Sequence, residues 1–274
     1  MITRLAPTPS GFLHEGNAAN LLLVSWLAAA AHGQVALRID DMDASRYRPV
    51  YVDDVFSVLE WLDIPWHIGP TDPRDFEQRH SQRLRTEQYR SELGRLTSSE
   101  HLEVYACRCS RKQLRDVGSM SCVGDCRHQG RELVPGESAL RVHVPRGTTV
   151  TVDGRSVDLA AEAGDFVVWR RDDVPAYHLV SVVEDRELNV SHVVRGSDLV
   201  ASTAAQLFLA PHLDAVALTR ATFVHHALAL DDQGLKLSKS QLAAGPMERS
   251  VVHRRRVYDL ARKLGEPVGI GPVG

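Results

Sequence analysis

The stretch Arg4-Leu5-Ala6-Pro7-Thr8-Pro9-Ser10-Gly11-Phe12-Leu13-His14-Glu15-Gly16-Asn17 decides the fold of this chain. Before and within it, Ile2 to Ala6 predicts a first strand, and two prolines and a glycine mark the turn that follows. Asn17 to His32 is rich in Ala and Leu and predicts a helix closed by Gly33, a C′ residue able to accept positive φ. Gln34 to Ile39 predicts a second strand. The result is a βαβ unit whose first turn carries the tetrad His14-Glu15-Gly16-Asn17. Backbone amides and the positive end of a helix can hold phosphates, and a Pro/Gly-rich turn lets the main chain approach them closely.

Composition fits a compact enzyme with one large domain and a smaller inserted or appended one. The chain has 274 residues and a formal net charge of −3, so nucleic-acid contact must come from local patches. His253-Arg254-Arg255-Arg256 and Arg262-Lys263 form one such patch, read as a solvated helix face. The longest apolar run, Leu21 to Ala31, is interrupted by Ser25 and is too short to span a bilayer. With no basic start and apolar signal core, the expectation is a cytoplasmic protein with no membrane contact.

The four cysteines of the chain form a separate constellation. Cys107-Arg108-Cys109 is a C-x-C pair and Cys122-Val123-Gly124-Asp125-Cys126 a C-x3-C pair, with a spacer of 12 residues between them. Four thiols paired in this way favour one tetrahedral zinc over two disulfides where no secretion signal precedes them. Gly118 and Gly124 could supply the bends that turn the ligands inward. With every zinc position filled by protein, the metal would brace a small insertion and leave no place for an activated water.

A second stretch, Lys236-Leu237-Ser238-Lys239-Ser240, follows the apolar run Leu228-Ala229-Leu230 and the polar turn Asp231-Asp232-Gln233-Gly234. Together with the tetrad it resembles the paired signatures of class I aminoacyl-tRNA synthetases. Further stretches extend the resemblance over most of the chain: Leu37-Arg38-Ile39-Asp40-Asp41-Met42-Asp43, Tyr105 to Arg111, Asp165 to Arg171, Pro175-Ala176-Tyr177-His178-Leu179 and His192 to Leu199. In this order they resemble the glutamyl-tRNA synthetase family, and within it the short glutamyl-queuosine tRNA(Asp) synthetases.

The resemblance implies an α/β protein with a Rossmann-type class I catalytic domain. Its first half would cover residues 1–100, a zinc-bearing acceptor-binding insertion 101–165, the second half with the lysine loop 166–248, and a C-terminal helix and tail 249–274. Only 34 residues follow Ser240, too few for the helical anticodon-binding region of full-length relatives. The helix expected there runs from about Arg249 to Leu264. The implied activity is adenylation of glutamate with ATP and magnesium, then transfer to queuosine at the wobble position of tRNA(Asp). The anticodon loop would enter the site that receives the acceptor end in the longer enzymes, and a monomer is expected. Zinc would be held by Cys107, Cys109, Cys122 and Cys126.

Glutamate presents two carboxylates and an ammonium, so its pocket needs cationic or donor groups and one acid. Arg4, Tyr177, Arg195 and Asp40 supply this set at positions matching glutamate-binding residues of the family, along with Leu5, Ala6, Pro7 and Thr8. ATP would be bound by His14, Gly16, Asn17, Lys236, Ser238 and Lys239. His14 and Lys239 would hold the charge that spreads as the α-carboxylate attacks the α-phosphorus, while Lys236 orders the loop.

Three positions depart from the family pattern. Asp40 stands where glutamate is common, one methylene short of the ammonium. Glu15 replaces an apolar residue beside the expected polyphosphate, and is expected to point outward or pair with a cation. Cys122 replaces a tyrosine common at the third zinc position of the short enzymes, adding a softer ligand. Two other readings stay open: a related ligase passing glutamate or another amino acid to a small molecule or carrier protein, and a catalytically silent binding protein.

Overall fold

The computed structural model describes residues 1–119, 121–230 and 245–273. In chain order, β1 (Ile2–Leu5) leads to α1 (Glu15–Ala30), β2 (Gln34–Leu37), α2 (Pro49–Trp61) and the single turn α3 (Pro73–Asp75). Next come α4 (Thr86–Thr97), β3 (Val104–Cys107), α5 (Arg111–Asp116), β4 (Ala139–Val142), β5 (Thr149–Val152) and β6 (Arg155–Asp158). The chain continues through α6 (Leu159–Glu162), β7 (Phe166–Trp169), α7 (Tyr177–Glu187), β8 (His192–Gly196), α8 (Val200–Leu209), β9 (Thr222–His226) and α9 (Val251–Gly265).

Two compact units result. The first comprises Met1–Leu84, Val190–Leu199 and Ala221–Gly274; the second comprises Arg85–Asn189 and Val200–Arg220 and takes in the stretch 101–165. In the first unit β1 runs parallel to β2, from Ile2 opposite Gln34 to Leu5 opposite Leu37. Strand β8 runs parallel to β9. The Ser191 amide donates to the Ile2 carbonyl at 2.9 Å, placing the start of β8 beside β1. This is the expected Rossmann-type arrangement, with α1 as the crossover between β1 and β2.

Helix α1 is buried nearly all round, through Ala18, Ala19, Leu21, Leu22, Leu23, Val24, Trp26 and Ala28. A helix sandwiched between layers needs apolar residues on more than one face. One layer is supplied by β1, β2 and β8, and another by α9, which contributes buried Val257, Ala261 and Leu264. Each fully buried Leu or Val contributes about 1.5–3 kcal/mol, so α1 is anchored chiefly by its flanks.

Several boundaries differ from those the sequence suggests. The first strand stops at Leu5 and the second at Leu37, although the chain beyond stays tethered: the Arg38 amide donates to the Leu5 carbonyl and the Asp40 amide to the Pro7 carbonyl, both at 2.9 Å. Helix α1 starts at Glu15 because His14 is its N-cap. It ends early because His32, at φ 47°, is the left-handed residue, and Gly33 is not among the positive-φ glycines. The Gly33 amide closes the turn on the Ala28 carbonyl at 2.8 Å. Glycine is needed there for space, since a β-carbon would lie 3.0 Å from the Met1 carbonyl oxygen. The C-terminal helix is capped by Ser250, whose hydroxyl accepts from the His253 amide.

The second unit holds the antiparallel sheet β3-β4-β7 and the hairpin β5-β6. Its helices are joined by buried polar contacts. Tyr89 donates to Glu184, which also meets Arg85, and Arg186 pairs with Glu92 at 2.7 Å. Among the described residues no helix is long and apolar enough to cross a membrane.

A buried acid, Asp54, ties three segments of the first unit together. On α2 it is 3% exposed, accepts the Leu13 amide at 2.8 Å and pairs with Arg249 at 2.6 Å. Replacing Asp54 with Ala removes these two contacts and leaves an amide and a half-covered guanidinium without this acceptor. Chemical denaturation of the Asp54→Ala variant should register a loss of about 2–3 kcal/mol; a change below about 0.5 kcal/mol would contradict this role.

Candidate active site

The expected site residues of the first unit gather at the carboxyl ends of its parallel strands. Arg4 in β1 and Arg195 in β8 are each 4% exposed. The Arg195 guanidinium lies 5.5 Å from the centre of the Phe223 ring. Beyond β1 the chain lines a cavity of about 290 Å³ with Ala6, Pro7, Thr8, Asn17, Asn20 and Arg46. Residues expected to meet glutamate and a residue expected to meet ATP therefore share one cavity.

His14 caps α1 reciprocally with Asn17. The His14 Nδ1 accepts from the Asn17 amide at 3.3 Å, and the Asn17 side-chain oxygen accepts from the His14 amide at 3.3 Å. This is a capping box built from His and Asn in place of the usual Ser/Thr and Glu. The third residue of the tetrad must be small: a β-carbon on Gly16 would lie 3.0 Å from the Ala229 Cβ and 3.1 Å from the His14 ring. Glu15 does meet a cation-forming side chain, His253 of α9, whose Nε2 is 3.2 Å from Glu15 Oε1.

Asp40 is held from two sides. Arg38 grips it with two bonds, Nε to Oδ1 at 2.7 Å and Nη2 to Oδ2 at 3.0 Å, and Gln82 donates its side-chain amide to Oδ1 at 2.8 Å. The neighbouring Asp41, 1% exposed, accepts from the Ser81 hydroxyl at 2.6 Å, the Gln82 amide at 2.8 Å and Arg83 Nε at 2.9 Å. Arg83 also covers the Tyr47 ring at 4.1 Å. Burial pushes the Tyr47 hydroxyl well above its ordinary range, helped by its hydrogen bond to Glu77.

Tyr177 opens α7 in the second unit and is 42% exposed. Lys236, Ser238 and Lys239 lie outside the described residues. Sequence reading did not single out Asp54, Gln82 or the pair Asn20 and His226. Asp54 had a signal, an acid on the apolar face that Val55, Val58 and Leu59 give to α2; Gln82 had none.

The four cysteines form one cluster in the second unit. Their sulfurs lie within 4.8 Å of one another, with Cys109 Sγ 3.6 Å from Cys122 Sγ and 3.9 Å from Cys126 Sγ. Four thiolates bound to one zinc at about 2.3 Å stand about 3.8 Å apart at the corners of a tetrahedron, so the donor set fits the ion. None of the four is in a disulfide. Glycine at 124 permits the close fold, since a β-carbon there would be 3.2 Å from Cys109 Sγ. Burial pushes the Cys107 thiol up and that of Cys122 to about 12. Burial also opposes ionisation of Cys109, but amides of Val123 and Gly124 and neighbouring thiols outweigh it and bring the group to about 7. Behind the cluster, buried Tyr105 donates to Asp165 at 2.6 Å.

Parallel strands, a capped tetrad at the first βα turn and buried guanidiniums at the strand ends define a class I aminoacyl-tRNA synthetase catalytic domain. The family described as tRNA synthetases class I (E and Q), catalytic domain, matches residues 1–254. Two relatives named glutamyl-Q tRNA(Asp) synthetase are each 36% identical. The one from Methylococcus capsulatus is matched over 89% of this chain and 77% of its own length; for that from Symbiobacterium thermophilum the shares are 97% and 95%. A glutamate tRNA ligase from Elizabethkingia meningosepticum, solved in complex with its amino acid, superposes with a TM-score of 0.70 at 23% identity. It is matched over 90% of this chain and 54% of its own, so the chain spans about half the length of that fold relative. The chain belongs to the glutamyl-Q tRNA(Asp) synthetases of the class I glutamyl- and glutaminyl-tRNA synthetase family.

Close by, His226 is 5% exposed, with Nε2 3.0 Å from the Asn20 side-chain oxygen and Nδ1 2.6 Å from the Ala227 carbonyl oxygen. Burial lowers its pKa below the ordinary imidazole value, and His225 acts the same way, while the Ala227 carbonyl and Asp198 oppose them. The unfolded chain therefore takes up this proton first as pH falls, and the stability contributed by neutral His226 is present above about pH 6.5 and lost below it. Denaturation midpoints measured from neutral pH down to pH 5 should fall less steeply for His226→Gln than for the parent; identical slopes would exclude His226 as a source of acid sensitivity.

Proposed function

We propose that this chain activates glutamate with ATP and transfers it to queuosine at the wobble position of tRNA(Asp). The observation that carries the reading is the single cavity that joins Ala6, Pro7 and Thr8 to the tetrad residue Asn17, at the start of a capped helix. There an adenylate can be held by its amino-acid part and its phosphate at once. The α-carboxylate oxygen attacks the α-phosphorus of ATP, pyrophosphate leaves, and the acyl group then passes from the adenylate to a hydroxyl of the cyclopentenediol, releasing AMP.

The residue roles in this proposal are electrostatic and positional. His14 and the first amides of α1 stabilise charge on the α-phosphate, with Lys239 and Lys236 assigned from their sequence motif. Arg4 and Arg195 receive the substrate carboxylates, and Asp40 the ammonium. Leu5, Ala6, Pro7 and Thr8 form the wall, Gly16, Asn17 and Ser238 belong to the nucleotide set, and Tyr177 is kept in the glutamate set by its motif. Magnesium accompanies ATP. We further propose a cytoplasmic monomer whose zinc, on Cys107, Cys109, Cys122 and Cys126, holds shape and takes no part in adenylation. The aspartate at position 40, one methylene shorter than the glutamate common in the family, favours one second reading, a related ligase passing glutamate or another amino acid to a different acceptor, a small molecule or carrier protein.

Amino-acid-dependent exchange of pyrophosphate into ATP, measured without tRNA across all amino acids, tests the first half-reaction. Glutamate should support it, and Lys239→Ala should slow it by at least about a hundredfold, or about 2.7 kcal/mol of barrier. Charging should then occur on tRNA(Asp) that carries queuosine and fail on tRNA(Asp) that lacks it; charging of both, or of neither, would favour the second reading. Elemental analysis of freshly purified protein should find one zinc per chain, and serine at Cys109 should release it while exchange persists. Protein prepared without chelators yet free of zinc would remove the metal assignment.

A further inference from the structure

We propose that Gln82 is a positioning residue for the substrate ammonium: its side-chain amide fixes the carboxylate of Asp40 so that one acceptor position, on Oδ2, is left for the ligand. This rests on the reading that Asp40 receives the amino group of the amino acid.

An ionised carboxylate offers about four lone-pair positions. Among the described residues, Asp40 has three in use: Oδ1 accepts from Arg38 Nε at 2.7 Å and Gln82 Nε2 at 2.8 Å, and Oδ2 accepts from Arg38 Nη2 at 3.0 Å. Oδ1 is saturated. The Asp40 side chain keeps 13% of its surface exposed, and Oδ2, with one donor against two on Oδ1, has an acceptor position in reserve. Arg38 alone would fix the plane of the group, yet it also neutralises much of its charge, since the pair is close and Arg38 is 5% exposed. A second cation on Oδ1 would finish that neutralisation and repel an incoming ammonium. A neutral amide there orients the acid and leaves its charge in place.

Gln82 is itself built into the fold. It is 1% exposed, and its backbone amide is latched to Asp41 Oδ1 at 2.8 Å. On either side of it, Ser81 and Arg83 bind Asp41 Oδ2 at 2.6 and 2.9 Å. Residues 81–83 thus clasp one acid of the Asp40-Asp41 pair and aim the Gln82 side chain at the other. This arrangement suits a short acid, because an aspartate one methylene below the family's glutamate has less reach and depends more on its orientation.

The test separates ammonium recognition from general damage by comparing glutamate with glutarate, which keeps both carboxylates and lacks the amino group. Glutamate KM, ATP KM and the inhibition constant of glutarate are measured by pyrophosphate exchange for the parent and Gln82→Leu, with thermal melts confirming folding. In Gln82→Leu the glutamate KM should rise about tenfold, equal to about 1.4 kcal/mol, while the ATP KM and glutarate constant stay within about twofold. If Gln82→Leu does not fold, Gln82→Asn, whose amide is too short to reach Oδ1, should give the same selective loss. Equal weakening of glutamate and glutarate, or no change in either, overturns the role of Gln82 while leaving the adenylation reading standing. Absence of exchange with glutamate in the parent enzyme overturns the functional reading and this inference with it.

Discussion

The requirement that a buried carboxylate be fully paired governs the first unit. Asp54 is removed from water, so its charge must be met by donors, and those it finds come from segments far apart in the chain: the amide of Leu13 and the guanidinium of Arg249. Three backbones are thereby set relative to one another by one side chain. The loop that delivers His14 to the end of α1, the helix α2 and the segment entering α9 cannot shift independently. The capping box of His14 and Asn17 then fixes the side chain that the loop delivers.

The topology explains why cationic side chains collect where they do. β1 has β2 on one side and the start of β8 beside it, and the crevice beyond the carboxyl ends of such parallel strands is where α/β folds bind ligands. Arg4, Arg38 and Arg195 all lie at or near those ends and all are at least 95% buried. Guanidiniums carry a high desolvation cost, which is tolerated where anionic groups meet them. Asp40 answers Arg38 from within the chain, with two bonds of 2.7 and 3.0 Å.

The βαβ unit could be read from sequence because its determinants are local: an apolar strand, a Pro/Gly turn, and a helix rich in Ala and Leu. The cysteine cluster was equally legible, since four thiols in two close pairs leave little choice of geometry. Errors arose where a tertiary contact replaced a local preference. Gly33 was expected to be the left-handed residue, but His32 takes that conformation and Gly33 is needed for its closeness to Met1. Gln82 acts on Asp40 across 42 residues, and Asp54 on Leu13 and Arg249 across 41 and 195, and no spacing rule brings such residues together. The pairing of Glu15 was anticipated in kind, while its partner, on a helix more than 230 residues downstream, was not.

That pairing gives the C-terminal helix a share in a motif it does not contain. His253 stands between Glu15 and Glu248, 3.2 and 3.4 Å from their oxygens, so the second position of the tetrad is matched to a residue on α9. Residues 15 and 253 are thus coupled across two helices. An apolar side chain at residue 15 would remove this contact of His253, and a different residue at 253 would change what faces the second position of the tetrad.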